Sequence, residues 1–113
     1  MSFIRWGMQG SDVYCFESQR GFEIMVAGNF EKPGTVPCTA HMLSPEYMAW
    51  YEASHGPSGL GHDGEVFVDQ TLADMRVRAE WLKTSGYTVP QYLFDRIDWE
   101  LNGAKGPKPE FAA

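Results

Sequence analysis

The sequence predicts an α+β domain: a small antiparallel sheet of three to four strands, two C-terminal helices packed on one face of it, and a long middle insertion with a short helix. Three features predict this class. Apolar and polar residues alternate over 12–27, apolar residues recur at helical spacing over 71–101, and Pro and Gly crowd the chain between these regions.

The hairpin comes first. Val13-Tyr14-Cys15-Phe16 is β-prone, Ser18-Gln19-Arg20-Gly21 suits a turn, and Phe22, Ile24 and Val26 alternate with Glu23 and Met25. Phe3-Ile4-Arg5-Trp6 offers a third strand, set off from the hairpin by Gly7 and by Gly10-Ser11, and Glu65-Val66-Phe67-Val68 offers a fourth.

The insertion, about 28–64, holds Pro33, Gly34, Pro37, Pro57, Gly59, Gly61 and Gly64, so most of it should be irregular. One helix is expected within it, over 45–53. Ser44 can accept a hydrogen bond from an early helical N–H, Pro45 fits the first position because its missing N–H has no partner there, and Glu46 suits the positive end of the helix dipole. Gly56-Pro57 should end it.

After the fourth strand, Asp69 or Thr71 can cap a helix with Leu72, Met75, Ala79 and Leu82 on one face. Asp74 with Arg78, and Arg76 with Glu80, stand at i,i+4 on its wet side, each pair worth about 0.2–0.5 kcal/mol. Gly86 supplies a left-handed stop. Thr88-Val89-Pro90 then starts a final helix whose apolar stripe is Leu93, Phe94, Ile97 and Leu101, with Asn102-Gly103 as its end. These elements make one domain over 1–103. The Gly- and Pro-rich remainder, 104–113, cannot continue a helix, offers little to bury and is expected to be a flexible tail.

With 113 residues, 43% of them hydrophobic, the chain is sized for a single core. Nine Lys and Arg against fifteen Asp and Glu give a net charge of -6, which opposes direct nucleic-acid binding, because that affinity comes from phosphates neutralised by basic side chains. The same charge favours a basic partner surface. No apolar run approaches the ~20 residues of a membrane-spanning helix, so no membrane role is expected. Met1-Ser2-Phe3-Ile4-Arg5-Trp6-Gly7 lacks a basic region followed by an apolar run, so Cys15 and Cys38 are expected to be reduced in a cytoplasm, the host's if the protein is phage-encoded.

Two stretches, Ser2-Phe3-Ile4-Arg5-Trp6-Gly7 with Gly10-Ser11-Asp12-Val13-Tyr14, and Ser85-Gly86-Tyr87-Thr88-Val89-Pro90-Gln91-Tyr92, resemble small uncharacterised proteins of actinobacteria and their bacteriophages. The resemblance covers roughly the first and last thirds of the chain and implies a phage or prophage origin, not an activity. In that family a cysteine cluster follows the phenylalanine of the second strand, and histidines lie on the helix before the Gly-x-Thr-Val-Pro turn. Here Phe22-Glu23-Ile24-Met25-Val26-Ala27 holds no cysteine, and the helix offers Arg78 and Leu82, so no ligand set carries over. The resemblance thus implies apolar packing in place of a metal, with the long middle segment as the specialised part.

Gly59-Leu60-Gly61-His62-Asp63-Gly64 spells G-x-G-x-x-G, but a dinucleotide site needs a strand before it and a helix after it, whereas a strand follows here; the motif reads as a loop and no cofactor is expected. Cys38, His41, His55 and His62 have ligand chemistry, and Cys38-x-x-His41 has a spacing that closes on zinc, but glycines and a proline separate the other two. These four are weak candidates for a zinc module or a metal-dependent or thiol enzyme, against which stand three ordinary surface histidines. No local pattern pairs either cysteine with a base.

Tyr47, Met48, Trp50 and Tyr51 gather interface-prone side chains on a short helix with few neighbours to bury them. Either they pin the segment onto the sheet or they form a binding surface. The expected function is that of a small non-enzymatic accessory protein of phage origin, acting by protein–protein interaction with a host or phage protein, or by self-association, through this segment and an acidic surface. The rivals are the metal or thiol enzyme and an acidic mimic of nucleic acid, which requires Asp and Glu clustered on one face.

Overall fold

The computed structural model describes residues 3–6, by their backbone, and 10–109. In chain order the elements are β1 (Phe3–Trp6), β2 (Val13–Ser18), β3 (Gly21–Val26), β4 (Phe30–Glu31), α1 (Pro45–Ser54), β5 (His55–Gly56), β6 (Val66–Asp69), α2 (Leu72–Ser85) and α3 (Gln91–Leu101). Antiparallel pairing orders the main sheet β1-β2-β3-β6, while β4 and β5 form a separate two-stranded ribbon. This is the α+β architecture expected, with all four anticipated strands present; Gly7 and residues 110–113 lie outside the described residues.

In the central hairpin Cys15 pairs with Ile24 and Val13 with Val26, so the alternation places these four side chains on one face. Gly21 is obligatory at the hairpin exit. Its φ is +134°, and a Cβ there would stand 2.5 Å from the Asp69 carbonyl oxygen, an approach that backbone atoms cannot relieve. The register of β1 against β2 shifts between Ile4 and Trp6, a bulge at the sheet edge.

Both C-terminal helices cover the face carrying Val13, Cys15, Ile24 and Val26. Met75, Ala79 and Leu82 of α2 and Leu93, Phe94 and Ile97 of α3 are buried against them in one cluster. Each large side chain so buried contributes about 1.5–3 kcal/mol of transfer free energy, which makes this face the source of the domain's stability. The cap of α2 is Thr71, not Asp69: its Oγ1 accepts a 3.1 Å bond from the Asp74 N–H. At the other end Gly86 has φ +116° and its N–H reaches the Leu82 and Lys83 carbonyls, the left-handed stop anticipated.

Two expectations fail here. Leu101, the last residue of α3, is 44% exposed and lies outside the core cluster. Arg78 pairs not with Asp74 but with Asp69, through Nε at 2.9 Å and Nη2 at 3.0 Å, while its guanidinium lies 4.7 Å from the Phe67 ring centroid. The strand end presents both carboxylate oxygens to the planar fork, and a two-pronged contact over an aromatic ring outweighs one i,i+4 pair on a wet helix face. Arg76 keeps Glu80 as expected and adds Asp98 of α3 at 2.6 Å.

The opposite face of the sheet is less covered. Tyr14, Met25 and Val66 are consecutive partners across three strands and are all exposed. Beside them Glu23 is buried, its carboxylate accepting from the Ser18 hydroxyl and the Arg20 guanidinium.

The insertion leaves the scaffold as an arm, and the molecule measures 50 × 29 × 29 Å. Its root is the β4–β5 ribbon, in which Phe30 pairs with Gly56 and Glu31 with His55, so the chain goes out and returns side by side. α1 thus ends at Ser54 with His55 as its cap, before the expected Gly56-Pro57, because the chain passes directly into β5. From this segment Phe30 and Leu60, one near each end, pack against the core.

Candidate functional site

The arm is built on α1. Ser44 caps it as expected, Oγ accepting a 3.1 Å bond from the Tyr47 N–H while donating 2.7 Å to the His41 carbonyl. Lys32, just after the outgoing strand β4, donates 3.2 Å to the Ala53 carbonyl at the negative end of the helix, where its charge also interacts favourably with the dipole.

Helical spacing places Tyr47, Trp50, Tyr51 and Ser54 on one face, i, i+3, i+4 and i+7, and that face turns inward. Ser54 is buried and the three rings are half-buried. The Tyr47 and Trp50 centroids lie 5.2 Å apart, Trp50 meets His55 edge-on at 5.4 Å, and Tyr51 stacks on His55 at 4.0 Å and 13°. Their polar ends are tied as well: Trp50 Nε1 donates 2.7 Å to the Val36 carbonyl, and Asn29 Nδ2 donates 2.9 Å to the Tyr51 hydroxyl. The rings therefore close the arm upon itself.

Met48 does not share that surface. It stands on the outer side of α1 with Glu46, Ala49, Glu52 and Ala53, all exposed. Met48 is 51% exposed, and the chain leading into the helix adds Met42 at 67%, Leu43 at 85% and Val36 at 76%. Leu43 and Met48 hold the positions just before a helix cap and four after it, which lie side by side. Sequence reasoning passed over Val36, Met42 and Leu43. Their signal was the pairing of Leu43 with Met48 around the Ser44 cap, which the nearby aromatics masked.

Cys38, His41, His55 and His62 are spent on separate local contacts. The Cys38 Sγ accepts from the Ala40 N–H at 3.4 Å, and His41 Nδ1 from the Leu43 N–H at 3.2 Å. His55 Nδ1 lies 2.8 Å from Ser54 Oγ, while His62 Nδ1 lies 2.5 Å from Glu65 Oε2 with its ring 4.6 Å from that of Trp81. Among the described residues no group of three His, Cys, Asp or Glu converges to hold a metal ion. Burial pushes the Cys15 thiol up to about 12, which removes its thiolate at neutral pH. Ile24, Val26 and Leu82 are core residues.

The G-x-G-x-x-G loop folds around a carboxylate of its own. Asp63 accepts from the Ser58 N–H at 2.7 Å, from the Ser58 hydroxyl, and from the Tyr87 phenol at 2.8 Å; the Leu60 N–H goes to Ser58 Oγ at 3.0 Å. These bonds, those of Ser58 first, hold the Asp63 carboxyl below the usual range. Several carboxylates elsewhere are held in separate ion pairs: Asp69 with Arg78, Glu80 and Asp98 with Arg76, Glu23 with Arg20. No helix of the described residues is long and apolar enough to cross a membrane.

Compared with protein families, with curated proteins and with solved structures, the chain matches none.

Proposed function

We propose that this protein is a non-enzymatic accessory protein that binds another protein through the outer side of its arm. One observation carries the reading: Met42, Leu43 and Met48, between 51% and 85% exposed, stand around the start of α1 on a projection whose aromatic residues are already engaged with one another. Exposed apolar clusters of this kind mark interaction sites on small proteins, since leaving them wet favours association. Tyr47, Trp50 and Tyr51 then act as the frame that presents the surface, and Met48 as part of it. A cytoplasmic location and a phage or prophage origin belong to the same reading, resting on two free thiols and on the terminal motifs.

A second reading, self-association through the open sheet face, is favoured by the exposed row Tyr14, Met25 and Val66. Affinity capture from an actinobacterial lysate separates the two when wild type is compared with the triple variant Met42→Glu, Leu43→Glu, Met48→Glu and with Met25→Glu. The arm reading expects partners to vanish with the triple variant and persist with Met25→Glu; the reverse pattern overturns it.

A further inference from the structure

The outer side of α1 has a charge as well as a shape. Pro45, Met48, Ala49, Glu52 and Ala53 follow the i, i+3, i+4, i+7, i+8 spacing of a helix stripe, and all are exposed. Ala49 and Ala53 leave a low strip along which a second backbone could approach closely, with Met48 and Leu43 rising at one end and Glu46 and Glu52 at its borders. Over 30–58 the chain holds three glutamates, Glu31, Glu46 and Glu52, against the single Lys32. The Lys32 ammonium is committed to the Ala53 carbonyl. The stripe is thus mostly apolar and helix-shaped, with Glu52 on it and Glu46 at its border, and within 30–58 the single Lys or Arg is engaged elsewhere.

Given that the arm is the binding surface, we propose that its occupant is a basic amphipathic helix of a partner protein, with apolar residues at i, i+3 and i+4 set on Leu43, Met48 and the two alanines, and Lys or Arg reaching Glu46 and Glu52. Charge decides against a second copy of this chain on the same stripe, because it would bring Glu46 and Glu52 against their own equivalents. The ten residues of α1 span about 15 Å, so the contact is small and its affinity is expected in the range of roughly 1–100 µM.

The test is titration of the full chain with a Leu/Lys amphipathic peptide of about 18 residues, followed by backbone amide shifts and calorimetry, alongside a Leu/Glu peptide of the same pattern. Shifts are expected at 42–53 with the Lys peptide alone, and its affinity should fall about tenfold between low salt and half-molar salt. Glu46→Gln with Glu52→Gln should weaken it about fivefold or more, whereas Glu65→Gln with Asp95→Asn, an equal change of net charge elsewhere, should not. The proposal is overturned by absence of binding, by equal losses in the two charge variants, by shifts confined to another surface, or by binding of the Leu/Glu peptide. A molecular mass that rises with concentration and returns to monomer in the Met48→Glu variant would overturn it in favour of a second copy. If lysate partners depend on Met42, Leu43 and Met48 but the Lys peptide does not bind, the arm reading stands and the partner chemistry fails alone.

Discussion

The phenol of Tyr87, in the turn between α2 and α3, donates a 2.8 Å hydrogen bond to Asp63 Oδ1, and its oxygen accepts one of 2.9 Å from the His62 N–H. The same ring lies 6.0 Å from that of Phe30 at the other strand of the arm's root. One buried core residue thereby holds both the outgoing and the returning chain.

Replacing that phenol should loosen the root and spare the sheet. Tyr87→Phe keeps the ring packing and removes the bonds to Asp63 and His62, at a cost of about 1 kcal/mol for each bond lost. Its urea midpoint should fall, and amide exchange should accelerate over 58–64 while β2 and β3 keep their protection. Unchanged exchange in that loop would contradict this role.

Acid should act through Glu23. Its carboxyl is held below its ordinary value of 4.5, first by the hydrogen bond from Ser18 and then by Arg20, with burial opposing. A depressed folded value means the contribution is complete above 4.5, where both folded and unfolded chains are ionised, and is lost as the pH falls through the folded value. Urea midpoints measured from about pH 6 down to about pH 3 should drop on the acid side, and Glu23→Gln should flatten that limb. An equally steep limb in the variant would assign the acid sensitivity elsewhere.

The thiols should separate sharply. With Cys15 pushed up to about 12, only about one molecule in ten thousand carries its thiolate at pH 8, and the sheet shields it besides; Cys38 is half-buried on the arm. A chromogenic disulfide reagent should titrate one thiol in the native protein and both in denaturant, with Cys38→Ser abolishing the native reaction. Two native equivalents would show that the sheet opens.

Trp50→Ala should act on the arm alone. It removes the 2.7 Å bond to Val36 and the ring contacts to Tyr47, Tyr51 and His55, none of which belongs to the core cluster. Amide protection over 29–56 should collapse while the global unfolding midpoint stays within about 0.5 kcal/mol of wild type. A large loss of global stability would mean that arm and scaffold unfold as one unit.

The hairpin, the α1 cap, the stop at Gly86 and the buried stripes of α2 and α3 were all legible in the sequence, because each depends on neighbours within a few residues. The Arg78 pairing was not. Asp74 and Asp69 are both near in sequence, and only the strand direction at Asp69 lifts both its oxygens to the guanidinium. The candidate site was half legible: Tyr47, Met48, Trp50 and Tyr51 could be placed together on one helix, but composition cannot say which of its two opposite faces turns inward.

By itself the sequence determined an acidic α+β chain with a covered sheet face and a proline-rich excursion, since periodicity and local turn chemistry are properties of the chain alone. Tertiary structure decided that the excursion closes on its own aromatics, through the β4–β5 ribbon and Val36, and so leaves Leu43 and Met48 outside. That choice depends on contacts between residues brought together only when the chain doubles back, where a half-buried ring finds partners for both its surface and its polar end.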